Sequence, residues 1–339
     1  ADAQKAVRLS PLNGVSNSTL AWFYDFGVDA DGKPYTNEAK QAAERTLSIL
    51  KNPQDAIEFY SRSLAYTVLR RDAEALDDLN KSISLNPNFA VIYNRRGYIY
   101  YRQKRDDAAL RDYNKAIQLN SSYTAAYKNR ALLYEAQNKA DAALADYRKI
   151  TEINPNDADA FLNIGNFYYG KKQYQAALSE YARAIEIKPD FVAAYQNRGL
   201  AYRMMGENRL AAQEYSRAVQ IAPRSADAYE QRGNFYFNIS EWGAAVGDYD
   251  TAIQLNPNLQ YAHVNRGVAH LRLGYYDKAL ADINKTIQLD PNVAAAYFHR
   301  GYIYADVGEF DSALTNYSKA IELDPQMSGA YFNRGLIYF

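Results

Sequence analysis

The chain has 339 residues, 48% hydrophobic and 23% charged, with 39 basic and 39 acidic side chains and no cysteine. That is enough apolar material for a continuous core, and the balanced charge excludes the basic footprint that nucleic acid or an anionic membrane would need as main partner. The lack of cysteine excludes disulfides, thiol nucleophiles and thiolate metal sites, and no apolar run is long enough to span a bilayer.

Residues 1–55 read as a capping segment. The start Ala1-Asp2-Ala3 without methionine fits signal-peptide cleavage or a trimmed chain, and a secreted or periplasmic bacterial protein is the expectation taken. Leu20 to Phe26 is a dense aromatic cluster expected to cover the first repeat. Asp29, Asp31, Gly32 and Glu38 stand at the third, fifth, sixth and twelfth places of a calcium loop. Gly27 holds the first acidic place and Pro34 an aliphatic one, so a plain Asp-Gly turn is expected there and no metal site is assigned. Asn37 to Leu50 reads as an amphipathic helix, the second helix of a degenerate unit, leading to Asn52-Pro53.

From residue 56 onward the chain repeats every 34 residues. Pro53, Pro87, Pro155, Pro189, Pro223, Pro257, Pro291 and Pro325 share one register, with Ser121 in the remaining slot. Such a period marks a stacked-repeat solenoid, which offers a long surface and not a buried pocket. Tyr195 to Gly206 and Leu210 to Ile221 both show helical spacing of apolar residues, so each unit is two helices. A glycine recurs inside the first helix (Gly97, Gly165, Gly199, Gly233, Gly267, Gly301, Gly335), where it costs about 1 kcal/mol of helix propensity. The cost is acceptable if a side chain there would block close helix packing. Small alanines such as Ala177 and Ala184 let the second helix approach its neighbours, and tyrosines fill the gaps. Proline after Asn or Asp ends the unit.

The pattern aromatic, Gly, Tyr, Ala, Tyr, Ala, Pro resembles the tetratricopeptide repeat family from Ala56 to Phe339, with eight full units and the first helix of a ninth. Departures are local: Ser63 and Ala131 replace glycine, Ile150 and Thr286 the second alanine, Ile283 an aromatic, and His263 and His270 tyrosines. The resemblance implies an all-α fold, a right-handed superhelical α-solenoid of antiparallel helix pairs over residues 56–339. It implies a protein or extended peptide as partner and no cofactor.

Two polar patterns run through the units. Arg62, Arg96, Arg130, Arg198, Arg232, Arg266, Arg300 and Arg334 precede the glycine position, and an acid recurs before the second-helix aromatic (Asp78, Asp112, Asp146, Glu180, Glu214, Asp248, Asp282). An Arg–carboxylate ladder tying helices together is expected, with an anion-binding stripe as the rival. Two residues before the glycine position stand Asn129, Asn163, Asn197, Gln231, Asn265, His299 and Asn333. In the family this position faces the concave side, and the run resembles the asparagine ladder of O-linked N-acetylglucosamine transferase, which grips a peptide backbone. A carboxamide can bond a peptide C=O and N–H; the alternative is that it only bonds a neighbouring helix. Tyr98, Tyr101, Tyr169, Phe237 and Tyr302 are further candidates on that face, beside Asn166, Asn234, Lys128, Arg203 and Arg272. The two-carboxylate clamp of chaperone-binding relatives is missing, because Leu132 follows Lys128 where asparagine is required.

No nucleophile–base pair, phosphate loop or zinc spacing occurs, so a non-catalytic scaffold is expected. A subunit that self-associates head to tail through Ser328–Phe339, or the repeat portion of a longer protein, is the alternative.

Overall fold

The computed structural model describes residues 36–339, without the side chains of Thr36 and Glu38. The aromatic cluster at 20–26 and the Asp29 and Asp31 of the loop candidate lie outside the described residues. Among those residues there are eighteen helices and no strands. Helix α1 (Thr36–Ile49) is followed by eight pairs of 13 and 14 residues: α2 (Ala56–Val68) and α3 (Asp72–Leu85), α4 (Ala90–Arg102) and α5 (Asp106–Leu119), α6 (Thr124–Ala136) and α7 (Ala140–Ile153), α8 (Ala158–Gly170) and α9 (Tyr174–Ile187), α10 (Val192–Met204) and α11 (Asn208–Ile221), α12 (Ala226–Asn238) and α13 (Trp242–Leu255), α14 (Gln260–Arg272) and α15 (Tyr276–Leu289), α16 (Ala294–Asp306) and α17 (Phe310–Leu323). Helix α18 (Ser328–Tyr338) closes the series. The contacts divide the chain into two units, one ending at Asn163 and one running from Ile164 to Phe339, with the division inside α8. Within each unit a first helix packs on its own second helix and also touches the first helix of the next pair, as α4 touches α6 and α12 touches α14.

The cores are built from the recurring small and aromatic residues. In the second unit Ala245, Tyr249 and Ala262 are fully buried together. In the first, Ala109, Tyr113 and Leu133 do the same. The first-helix glycine lies against the second-helix aromatic sixteen residues later. A Cβ built on Gly165 would stand 2.5 Å from Tyr181 Cε1, and one on Gly97 2.8 Å from Tyr113 Cε1. Contact at that range is repulsive, so glycine is what lets the two helices close.

Turn chemistry explains the proline register. The Asn or Asp before the proline accepts a bond from the backbone N–H two residues on, as Asn86 Oδ1 does from Asn88 N at 3.2 Å and Asp324 Oδ1 from Gln326 N at 3.0 Å. Asn120 Oδ1 does so from Ser122 N at 3.0 Å, and the turn holds without a proline at Ser121. A first-helix tyrosine then donates its hydroxyl to the carbonyl at this turn, as Tyr195 does to Pro189 O at 3.2 Å. His263, in a tyrosine slot, meets Pro257 O through Nε2 at 3.1 Å. It is 5% exposed and His270 7%, so both act as core substitutes for tyrosine.

The Arg–acid pairs form the expected ladder. Arg232 donates Nε to Asp248 Oδ2 at 2.8 Å and Nη2 to Oδ1 at 2.6 Å, and the same fork joins Arg62 to Asp78, Arg96 to Asp112, Arg130 to Asp146 and Arg266 to Asp282. The third nitrogen reaches the preceding second helix: Arg96 Nη1 donates to Asn80 Oδ1 at 2.7 Å and Arg130 Nη1 to Asn114 Oδ1 at 2.6 Å. Each such guanidinium thus pins three helices, and none of these pairs is left open for an external anion. At the last full pair Asn316 stands for the acid and accepts only from Arg300 Nε, at 2.7 Å.

A second glycine-type position recurs between the paired helices. Arg70, Lys104, Asn138, Lys172, Gly206, Ser240, Gly274 and Gly308 all adopt φ between 57° and 83°. The N–H of the following residue bonds back across the turn, as Gln173 N does to Tyr168 O at 2.9 Å, which fixes the left-handed residue. A side chain there is strained. Lys172 is exposed, so Lys172→Gly is expected to raise stability by about 0.5–1 kcal/mol, readable as a higher urea midpoint at unchanged slope.

Candidate functional site

The seven ladder residues all fall on first helices: Asn129 on α6, Asn163 on α8, Asn197 on α10, Gln231 on α12, Asn265 on α14, His299 on α16 and Asn333 on α18. Gln231 is exposed and the others are half-buried. Three amides bond the repeat before them. Asn129 Nδ2 donates to Asn94 Oδ1 at 3.0 Å, Asn197 Nδ2 to Asn166 Oδ1 at 2.8 Å, and Asn265 Nδ2 to Asn234 Oδ1 at 2.9 Å. Asn166 Oδ1 also accepts from the Tyr181 hydroxyl at 2.9 Å, and Asn234 Oδ1 from Tyr249 at 2.7 Å. Both lone pairs of these oxygens are used, so Asn166 and Asn234 are joints between repeats. Asn333 lines a cleft together with Tyr317.

His299 is the titratable rung. Burial, with the charge of Arg272 nearby, holds its pKa down at about 4, and its ring meets Phe298 edge-on at 5.3 Å. An unfolded imidazole titrates near 6.5, so the unfolded chain binds more protons between these values. The stability from neutral His299 is complete above pH 6.5 and is lost as pH falls towards 4. Between pH 7.5 and 4.5 the wild type is expected to lose about 2 kcal/mol more than His299→Asn, as read by urea unfolding at both pH values.

The aromatic candidates divide. Tyr101 packs against the core of Ala109, Tyr113 and Leu133, and Phe237 against that of Ala245, Tyr249 and Ala262. Phe237 also meets Trp242 edge-on at 5.0 Å. Tyr169 lies 5.5 Å from Tyr174. Tyr98 has the Arg102 guanidinium 5.8 Å from its ring centroid. Tyr302 is exposed and lines, with Phe310 and Leu336, a cleft of about 360 Å³. Arg203 lies close enough to Tyr215 to counter the burial that lifts this phenol to about 12, and its buried Nε has no hydrogen-bond partner. Lys128 pairs loosely with Asp159, at 3.8 Å on the surface.

A second cleft, of about 550 Å³, runs between α12 and α14 and includes Gln231, Asn234, Phe237 and Asn265. It also brings in Glu230 and Tyr261, which residue patterning had not singled out. A signal was present: Glu230 is the one acid at its register position, against Gln196 and Val264 in the neighbouring units, and Tyr261 the one aromatic at its own, against Asp227 and Ala295.

Models of the tetratricopeptide repeat match residues 90–157, 146–179, 165–206, 192–225, 233–274, 260–293 and 301–339. The chain belongs to the tetratricopeptide repeat family. Tetratricopeptide repeat proteins are typically non-catalytic interaction scaffolds, and among the described residues no group of three or more His, Asp or Glu is placed to hold a metal ion. No helix among them is long and apolar enough to cross a membrane. A tetratricopeptide repeat protein from Parabacteroides merdae is 21% identical, with a TM-score of 0.57 over 72% of this chain and 96% of that one. The Cut9–Hcn1 structure of the APC/C gives 15% identity and 0.55 over 96% and 67%. YrrB, described as a TPR protein with an unusual peptide-binding site, gives 24% and 0.48 over 56% and 97%. No curated protein matches the chain in sequence.

Proposed function

We propose that the chain is a non-catalytic scaffold that holds an extended peptide segment of a partner protein along its first-helix face, the concave side expected of this family. The supporting observation is the cleft between α12 and α14, where the exposed Gln231 and the half-buried Asn265 stand beside aromatic walls. Amides match peptide C=O and N–H groups. First helices pack about 8–10 Å apart and an extended chain rises about 3.3 Å per residue, so one repeat meets about every third peptide residue. Asn163 and Gln231 test this best, because neither makes the inter-repeat amide bond of Asn197 and Asn265. An array of twelve-residue peptides should be captured by the wild type and much less by Asn163→Ala/Gln231→Ala with the same melting temperature. Equal capture by both proteins, or by neither, overturns the reading.

A second reading, self-association, is favoured by one observation: Phe332, Leu336 and Tyr338 on α18 are 66%, 59% and 73% exposed. Light scattering decides it, through a mass that rises with concentration or one that stays monomeric.

A further inference from the structure

The cleft between α12 and α14 has a charge imbalance. The residues lining it include one carboxylate, Glu230, and no lysine or arginine. Glu230 is half-buried, and Asp227 lies one turn before it on the same helix. Asp227 is exposed and accepts from Gln196 Nε2 at 2.8 Å. The nearest arginine in sequence, Arg232, is committed to Asp248 through Nε and Nη2. None of the ion pairs among the described residues involves Glu230. Burial, and then the charge of Asp227, push the Glu230 carboxyl above the usual carboxylate range. Its charge is felt in turn by the buried hydroxyl of Tyr249.

The walls suit a cation. Tyr261 is 74% exposed on α14, in a chain that leaves few of its described tyrosines exposed. Phe237 lines the same cleft from α12 and meets Trp242 edge-on at 5.0 Å. An ammonium or guanidinium between two aromatic rings gains from their negative faces, and a carboxylate at the end of the slot gives it a charge-assisted bond. An acidic occupant would meet Asp227 and Glu230, and an apolar one would leave the Glu230 carboxylate desolvated without a partner.

We infer that this cleft receives a basic side chain, lysine or arginine, of the bound peptide, with Glu230 as its counter-charge and Tyr261 and Phe237 as its walls. The inference rests on the peptide-scaffold reading and adds the chemistry of one subsite to it. Gln231 and Asn238 flank the slot and are positioned to meet the main chain on either side of that residue.

Trp242 supplies the readout. The chain has two tryptophans, so Trp22→Phe leaves Trp242 alone next to the slot. In that background N-acetyl-arginine methylamide, titrated at constant ionic strength, should change the Trp242 fluorescence saturably. The citrulline analogue, equal in shape and uncharged, should bind at least tenfold more weakly. Glu230→Gln should erase this preference, and Tyr261→Ala should weaken arginine binding several-fold at unchanged melting temperature. No response to arginine, equal response to citrulline, or a preference that survives Glu230→Gln overturns the assignment. A free diamine binding as tightly as an arginine within an extended nonapeptide also overturns it, since the slot would then serve small cations. The two proposals fail separately. Captured peptides without enrichment in lysine or arginine leave the scaffold standing and remove the subsite. An arginine preference with no captured peptide removes the scaffold.

Discussion

Asp248→Ala is expected to lower stability by about 3 kcal/mol, because removing one partner of a buried ion pair strands the other. The Asp248 side chain is 7% exposed and that of Arg232 21%. Without the carboxylate the guanidinium keeps one long hydrogen bond, 3.4 Å to Ser216 Oγ, and the Tyr229 ring 5.8 Å away. It would sit between helices with most of its donors unsatisfied. The double variant Arg232→Met/Asp248→Leu should lose less than half as much, since apolar replacement of both partners removes the desolvation cost along with the attraction. Urea unfolding of the two variants checks this. A single variant no less stable than the double would mean that the pair contributes attraction alone. The pair at Arg300 and Asn316 is a natural halfway state, in which one neutral acceptor serves in place of two charged ones.

Gly165→Ala is the second large effect. The added methyl falls 2.5 Å from Cε1 and 2.6 Å from Cδ1 of Tyr181. That ring is 1% exposed, and its hydroxyl is bonded to Asn166, so it cannot swing clear without breaking the joint to Asn197. A loss of about 2 kcal/mol is expected, overpacking outweighing a gain of about 1 kcal/mol in helix propensity. Gly335→Ala is the control. It occupies the same register, but no atom lies within 4 Å of its Cβ position, so there the substitution should stabilise by about 0.5–1 kcal/mol. Thermal melts of both variants should therefore shift in opposite directions. Ser63 and Ala131 limit the size of the effect. At Ser63 the residue sixteen later is Leu79, a slimmer partner, while at Ala131 it is Tyr147, so a repeat built around the extra carbon can open by a few tenths of an ångström.

The helix pairs were legible because their determinants are local and repeat. Helical apolar spacing, an Asx-Pro stop, and a glycine sixteen residues from an aromatic are each visible in one unit and confirmed by the next. The Arg–acid ladder was legible for the same reason, its two members being sixteen residues apart in unit after unit. The left-handed turn was not. Backbone bonds such as Gln173 N to Tyr168 O impose it, and they hold Arg70, Lys104 and Lys172 there as firmly as Gly206, so the residue type barely reports it. Nor could the amide run be resolved by type alone. A carboxamide pairs with another carboxamide as well as with a peptide, and only the reach of Asn197 to Asn166 and of Asn265 to Asn234 shows which of them are engaged. Glu230 was hidden because its meaning lies in missing partners, which depend on neighbours along the stack.

The joints made by Asn166 and Asn234 lie two repeats apart. The residue after the glycine position alternates: Asn166, Leu200, Asn234, Val268, Tyr302, Leu336. Neighbouring repeats are therefore not interchangeable at these seams. Excision of the unit that carries Asn234 would set Asn265 against Leu200, where no side-chain oxygen waits for its amide.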